Sequence, residues 1–118
     1  MTKSLRVRAI LGIALVLGCA PAARASVPSV AECLEGSDFI ANAARARDNG
    51  IARDRFLDRL DSDLTTIRAF PPGLRWFARD DDDEAFLRSA TETVFSEPVS
   101  PDEHRAAFLR ACFARLSV

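Results

Sequence analysis

Tyrosine is absent from this chain of 118 residues, and lysine, histidine, methionine and tryptophan occur once each. Each scarcity excludes a chemistry. Structural zinc takes four Cys/His ligands and catalytic zinc usually several histidines, which His104 alone cannot supply. A b-type haem bundle needs axial His or Met, and the single methionine is Met1. C-x-x-C and C-x-x-C-H are both missing, so neither a thioredoxin-like dithiol nor a c-type haem attachment is present. No G-x-S-x-G elbow accompanies a Ser/His/Asp set. The sequence therefore names no catalytic residue, no metal ligand set and no cofactor. With 118 residues there is room for one small domain, not for a dinucleotide-binding fold or a β/α barrel.

Charge is unevenly placed. Residues 1–25 hold Lys3, Arg6, Arg8 and Arg24 and no acid. The other 93 residues carry twelve arginines against seventeen carboxylates, a net charge of −5. A net acidic domain lacks the basic face that nucleic-acid binding requires.

The N-terminus has the layout of a secretory leader. Lys3, Arg6 and Arg8 form a positive region, Ala9 to Ala20 an apolar run closed by Pro21, and Ala23-Arg24-Ala25 a small-residue cleavage site before Ser26. The apolar run has 12 residues, against the roughly 20 that cross a hydrocarbon core, and no later stretch is long enough. The expected product is residues 26–118, periplasmic or secreted. Val16-Leu17-Gly18-Cys19 offers an alternative, a lipobox whose Cys19 would carry a lipid anchor and make the protein a membrane-anchored lipoprotein. The A-x-A site that follows, and Leu17 where a small residue is favoured, point to the soluble form.

Removing the leader leaves two cysteines, Cys33 and Cys112. In an exported chain that count implies one disulfide. The bridge would close a loop of about 80 residues, which in the chain-entropy account stabilises the fold by on the order of 4 kcal/mol.

The remainder reads as four helices. Ser29-Val30-Ala31-Glu32 is a capping box, and Val30, Cys33, Ser37, Ile40, Ala41 and Ala44 recur at helical spacing up to the stop Asn49-Gly50. A second helix from about Ala52 carries Phe56, Leu57, Leu60, Leu64 and Ile67 and is broken by Pro71-Pro72-Gly73. A third begins in the run Asp80–Glu84, with Phe86, Leu87, Ala90, Val94 and Phe95 inward, and ends before Pro98. Ser100-Pro101-Asp102-Glu103 starts the fourth, whose face is Phe108, Leu109, Cys112, Phe113 and Leu116. No period-2 strand and no repeat occurs. The expectation is an all-α domain, a small four-helix up-and-down bundle, with Cys33 at the start of the first helix facing Cys112 near the end of the last.

Cys33, Asn42-Ala43-Ala44-Arg45, Arg47-Asp48-Asn49-Gly50, Val94-Phe95, Pro98, Pro101 and the closing Cys112 together resemble a broad set of small exported proteobacterial helical proteins of unassigned function. In that set an N-terminal helix runs into an R-D-x-G turn and a cysteine closes the chain. The resemblance spans most of residues 30–115 and implies location and helical character only.

Three features remain as functional candidates. Asp80–Glu84 lacks the alternation and glycine of a calcium loop, and acids in a first helical turn are accounted for by the helix dipole. The arginines interleave with acids along the helices, as a solvated mixed face does. Phe70-Pro71-Pro72-Gly73-Leu74-Arg75-Trp76-Phe77 places large apolar residues in a connection between helices. Arg75, Trp76 and Phe77 are residue types enriched in contact hot spots. The plainer reading has Phe70, Leu74 and Phe77 fold back as a one-turn helix over the core, with Trp76 partly exposed. The leading functional expectation is a non-enzymatic module that contacts a protein partner. The alternative is a carrier of a small apolar ligand in the bundle interior, and a hydrolase built on scattered acids ranks last.

Overall fold

Three of the four helices start at a side-chain cap; the second, which follows Ala52, has none. The structure, a computed structural model, describes residues 28–116. The leader (residues 1–25) and Cys19 lie outside the described residues. Helix α1 spans Val30–Asp48, α2 Arg53–Ile67, α3 Asp81–Ser96 and α4 Pro101–Leu116, with a one-turn 3₁₀ helix at Pro72–Leu74 between α2 and α3. The Ser29 hydroxyl accepts from the Glu32 N–H (3.1 Å) while the Glu32 carboxylate accepts from the Ser29 N–H (3.0 Å), a complete capping box. The Asp80 carboxylate accepts from the Asp83 N–H (2.8 Å) to start α3, and the Ser100 hydroxyl accepts from the Glu103 N–H (3.1 Å) to start α4. At the end of α1, Gly50 takes φ +93°. There the Gly50 N–H donates to the Arg47 carbonyl and the Ile51 N–H to the Ala46 carbonyl, a Schellman closure for which glycine has no Cβ penalty.

The four helices form an all-α bundle that alternates in direction. The Cys33–Cys112 disulfide, with Cα atoms 5.7 Å apart, joins the start of α1 to the end of α4. Arg47, near the end of α1, hydrogen-bonds the Val94 and Glu97 carbonyls at the end of α3, so α1 and α3 run parallel. Ion pairs Arg53–Glu92, Asp61–Arg88 and Arg68–Glu84 lay α2 antiparallel along α3. Helix α1 packs most extensively on α4 and also on α3, while α2 packs on α3.

The central place of α1 explains why more of its surface is buried than one stripe. Gly36, Ser37, Ala41, Ala43 and Ala44 are all buried. A Cβ on Gly36 would stand 2.7 Å from two ring carbons of Phe108, so glycine here is what lets α4 approach. Around these small residues the aromatic rings make a chain. Phe95 meets Phe56, Phe56 meets Phe39, and Phe39 meets Trp76. Trp76 then meets Phe77, which packs on Phe86 and Phe108, with centroids 5.2–6.0 Å apart throughout. Such tilted contacts contribute about 0.5–1.5 kcal/mol each beyond their burial.

Two side chains placed inward by helical spacing are exposed instead. Val30 and Phe113 face solvent, together with Leu34. Leu34 and Phe113 each follow a bridged cysteine in antiparallel helices, so the 100° step turns both to the same side of the α1–α4 pair. Among the described residues no third helix covers that side. Phe70 and Leu74, placed inward in the folded-back reading, are also exposed.

Both cysteines are 0 % exposed and their bridge closes 79 residues of chain. Removing it in a Cys33→Ala/Cys112→Ala variant is expected to cost on the order of 4 kcal/mol. Thermal unfolding of the variant against the oxidised protein measures this, and an unchanged melting temperature would contradict it.

Candidate functional site

The 68–80 connection closes the end of the bundle that also holds the disulfide. Two consecutive prolines, Pro71 and Pro72, have no N–H to donate, and the carbonyls left over at the end of α2 need other partners. Arg75 supplies them. Its Nε donates to the Phe70 carbonyl (2.9 Å), Nη2 to the Arg68 carbonyl (3.0 Å) and Nη1 to the Arg79 carbonyl (3.0 Å). One planar guanidinium thus grips both limbs of the loop, an arrangement that a lysine ammonium on its flexible stem does not reproduce.

This clamp decides which way each neighbour points. Phe77 is 0 % exposed, in the centre of the core against Phe86 and Phe108. It is a packing residue, which corrects the expectation of Phe77 as a surface anchor. Trp76 is half-buried against Phe39 and Phe77. Arg75 turns its donors back onto its own loop. The outward residues are Leu74, 74 % exposed, and Phe70, 48 % exposed. Of the three residues that the folded-back reading turns inward, Phe77 is buried and Phe70 and Leu74 are exposed.

Ion pairs brace the loop from below. Arg79 reaches Glu32 on α1 (2.7 Å), Arg68 pairs with Glu84, and Arg115 on α4 donates to Asp83 (2.7 Å). The guanidinium of Arg115 lies 4.6 Å from the centre of the Phe86 ring, within cation–π range. Asp83 is 1 % exposed. Two of the five acids of the Asp80–Glu84 run are therefore spent on arginines, Asp80 on the helix cap, and Asp81 and Asp82 stay exposed in the first turn. Among the described residues there is no group of three or more side chains that could hold a metal ion.

A second concavity opens between α3 and α4. It holds about 250 Å³, over a floor of Ile40, Phe86 and Phe108 and between small residues such as Ala90, Ala107 and Ala111. His104 borders it and is buried. Its Nε2 stands 2.9 Å from the Glu97 carbonyl and 3.3 Å from Nη1 of Arg47. Arg47 closes this opposite end of the bundle as Arg75 closes the first. Its guanidinium donates to the Val94 (2.8 Å), Glu97 (3.0 Å) and Val99 (2.8 Å) carbonyls. Helical spacing had no means of showing His104 as buried, because its neighbour, the Glu97 carbonyl, belongs to the preceding connection.

No protein family, no curated protein and no solved structure matches the chain.

Burial pushes the Asp83 carboxyl above its ordinary value near 3.8, against the opposing pull of Arg115 and the Arg79 N–H. A carboxyl raised in the folded state keeps its proton where the unfolded chain has lost it. Its contribution to stability is therefore present in acid and is lost as pH rises from about 4 through the raised value. Asn at this position cannot ionise. The stability of Asp83→Asn relative to the natural protein is expected to improve as pH rises through that window. Thermal melts of both between pH 3 and 7 measure the trend, and a difference that is flat or of opposite slope would contradict it.

Proposed function

We propose that the protein is an exported, non-enzymatic interaction module that offers its arginine-clamped loop, with Leu74 and Phe70 as the contacts, to a protein partner. The observation that carries this is the combination at Leu74. A large apolar side chain stands 74 % exposed on a loop whose carbonyls are already held by three guanidinium hydrogen bonds. Exposed apolar area on a flexible loop is of little use for recognition, because binding must first order the loop. On a fixed loop most of that ordering cost has been met in folding. Export is supported by the leader pattern of residues 1–25 and by the buried Cys33–Cys112 bridge, since disulfides persist in oxidising compartments. No helix among the described residues is long and apolar enough to cross a membrane.

A second reading, a carrier of a small apolar ligand, is favoured by the α3–α4 cleft. Its volume of about 250 Å³ falls just below the roughly 300–1,000 Å³ of ordinary ligand pockets, and the cleft is open along one side, which ranks this reading second.

Leu74 and Phe70 support no core contact, so a Leu74→Asp/Phe70→Ser variant should keep its stability within about 0.5 kcal/mol. In the exported fraction the tagged natural chain should recover a partner that the variant does not, with an intact mass that starts at Ser26 and not at an acylated Cys19. Equal recovery by both chains would sink the loop contact. For the cleft, Ala107→Trp should abolish the fluorescence gain of a bound apolar dye, and undiminished binding would remove the ligand reading.

A further inference from the structure

The charge around the loop specifies what kind of surface covers it. Every arginine near Leu74 and Phe70 is already engaged. Arg68 is paired with Glu84, Arg79 with Glu32 and Arg88 with Asp61, while Arg75 is spent on backbone carbonyls. The acids are not balanced in the same way. Asp81 and Asp82 are exposed at the start of α3, and neither enters an ion pair among the described residues. Asp81 also lines a cleft of about 280 Å³ where α2 ends and α3 begins, facing Asp61 and Glu84 as well as Arg68 and Arg88. Directly after the loop, two carboxylates thus stand outside ion pairs, against the one guanidinium of Arg75 that is bonded to neutral carbonyls.

Resting on the loop-contact reading above, we infer that the partner is a protein with an apolar pocket for Leu74 rimmed by Lys or Arg side chains that face Asp81 and Asp82. Electrostatic complementarity selects among the surfaces that could bury a leucine. A second copy of this chain would bring the same acidic rim against itself. An anionic lipid surface would repel it. A basic-rimmed pocket supplies cations to Asp81 and Asp82, which within the fold meet only the α3 dipole and, for Asp81, the field of Arg68. The contribution of these two carboxylates is to steer encounter, so it weakens as salt screens it.

The experiment uses the full chain, exported from its own cells, with a photoreactive benzoylphenylalanine in place of Leu74. Adduct yield is read on gels and by mass spectrometry at 0.05 M and 0.5 M NaCl, settings that span Debye lengths from well above to well below about 10 Å. One adduct with a protein is expected, its yield falling on the order of tenfold at the higher salt. The same fall is expected at low salt in an Asp81→Asn/Asp82→Asn background, checked for an unchanged melting temperature. The salt arm needs no second substitution, so a poorly folding variant leaves the inference testable. An adduct indifferent to salt and to both substitutions overturns the basic rim and leaves the loop contact standing. No adduct at all overturns the loop contact itself. An adduct of twice the chain's own mass, or co-flotation with phosphatidylglycerol vesicles, replaces the basic-rimmed protein with a second copy or a lipid surface and overturns the inference.

Discussion

The Cys33–Cys112 bond is the constraint on which the rest of the bundle depends. It fastens the first turn of α1 to the last turns of α4, so these two helices run antiparallel with the small residues of α1 turned to Phe108 and Cys112 of α4. Gly36 then admits the Phe108 ring, and that ring with Phe77 and Phe86 builds the centre of the core. With α1 and α4 pinned, α3 occupies one side of the pair and α2 follows it. The loop between α2 and α3 has to close the same end that the disulfide closes. Among the described residues one side of α1–α4 has no cover, and there Val30, Leu34 and Phe113 face solvent.

Within that frame, arginine carries out work that neither the disulfide nor the core performs. Helix ends leave carbonyls without partners, and prolines after α2 remove the nearest donors. Arg47 at one end and Arg75 at the other each present a planar fork to three carbonyls. Hydrogen bonds from a charged donor contribute more than neutral ones, about 1.5–3 kcal/mol. Two clamps of this kind hold both connections shut, Arg47 being paired as well with Asp48. Acidic residues serve in the complementary way. Asp80 caps α3, and Glu32, Asp83 and Glu84 each receive one arginine.

Much of this fold is legible in the linear sequence because it is specified locally. Ser29 with Glu32, Ser100 before Pro101, and Gly50 after Asn49 mark helix ends through contacts three or four residues long. Cys33 and Cys112, on apolar faces near the two ends of residues 26–118, are the only pair that this stretch offers. The direction in which residues 70–77 point is different in kind. It depends on Arg75 reaching carbonyls on both limbs of the loop and on Phe77 finding Phe86 and Phe108, contacts that no spacing rule encodes. Composition brought attention to the segment, but hot-spot statistics favour Arg and Trp regardless of which way they face. The burial of His104 was hidden for the same reason, since its partner, the Glu97 carbonyl, lies across a turn. Val30 and Phe113 fall on apolar faces by period, yet burial also requires a third helix on that side.

The account stands or falls on the loop being held still while Leu74 faces outward. Backbone ¹⁵N relaxation of the oxidised protein tests this directly at Phe70, Gly73, Leu74 and Trp76. With the Arg75 clamp in place their order parameters should equal those of the helices, about 0.85, and an Arg75→Gln variant should lower them. Values below about 0.6 in the natural protein, the range of flexible backbone, would contradict it.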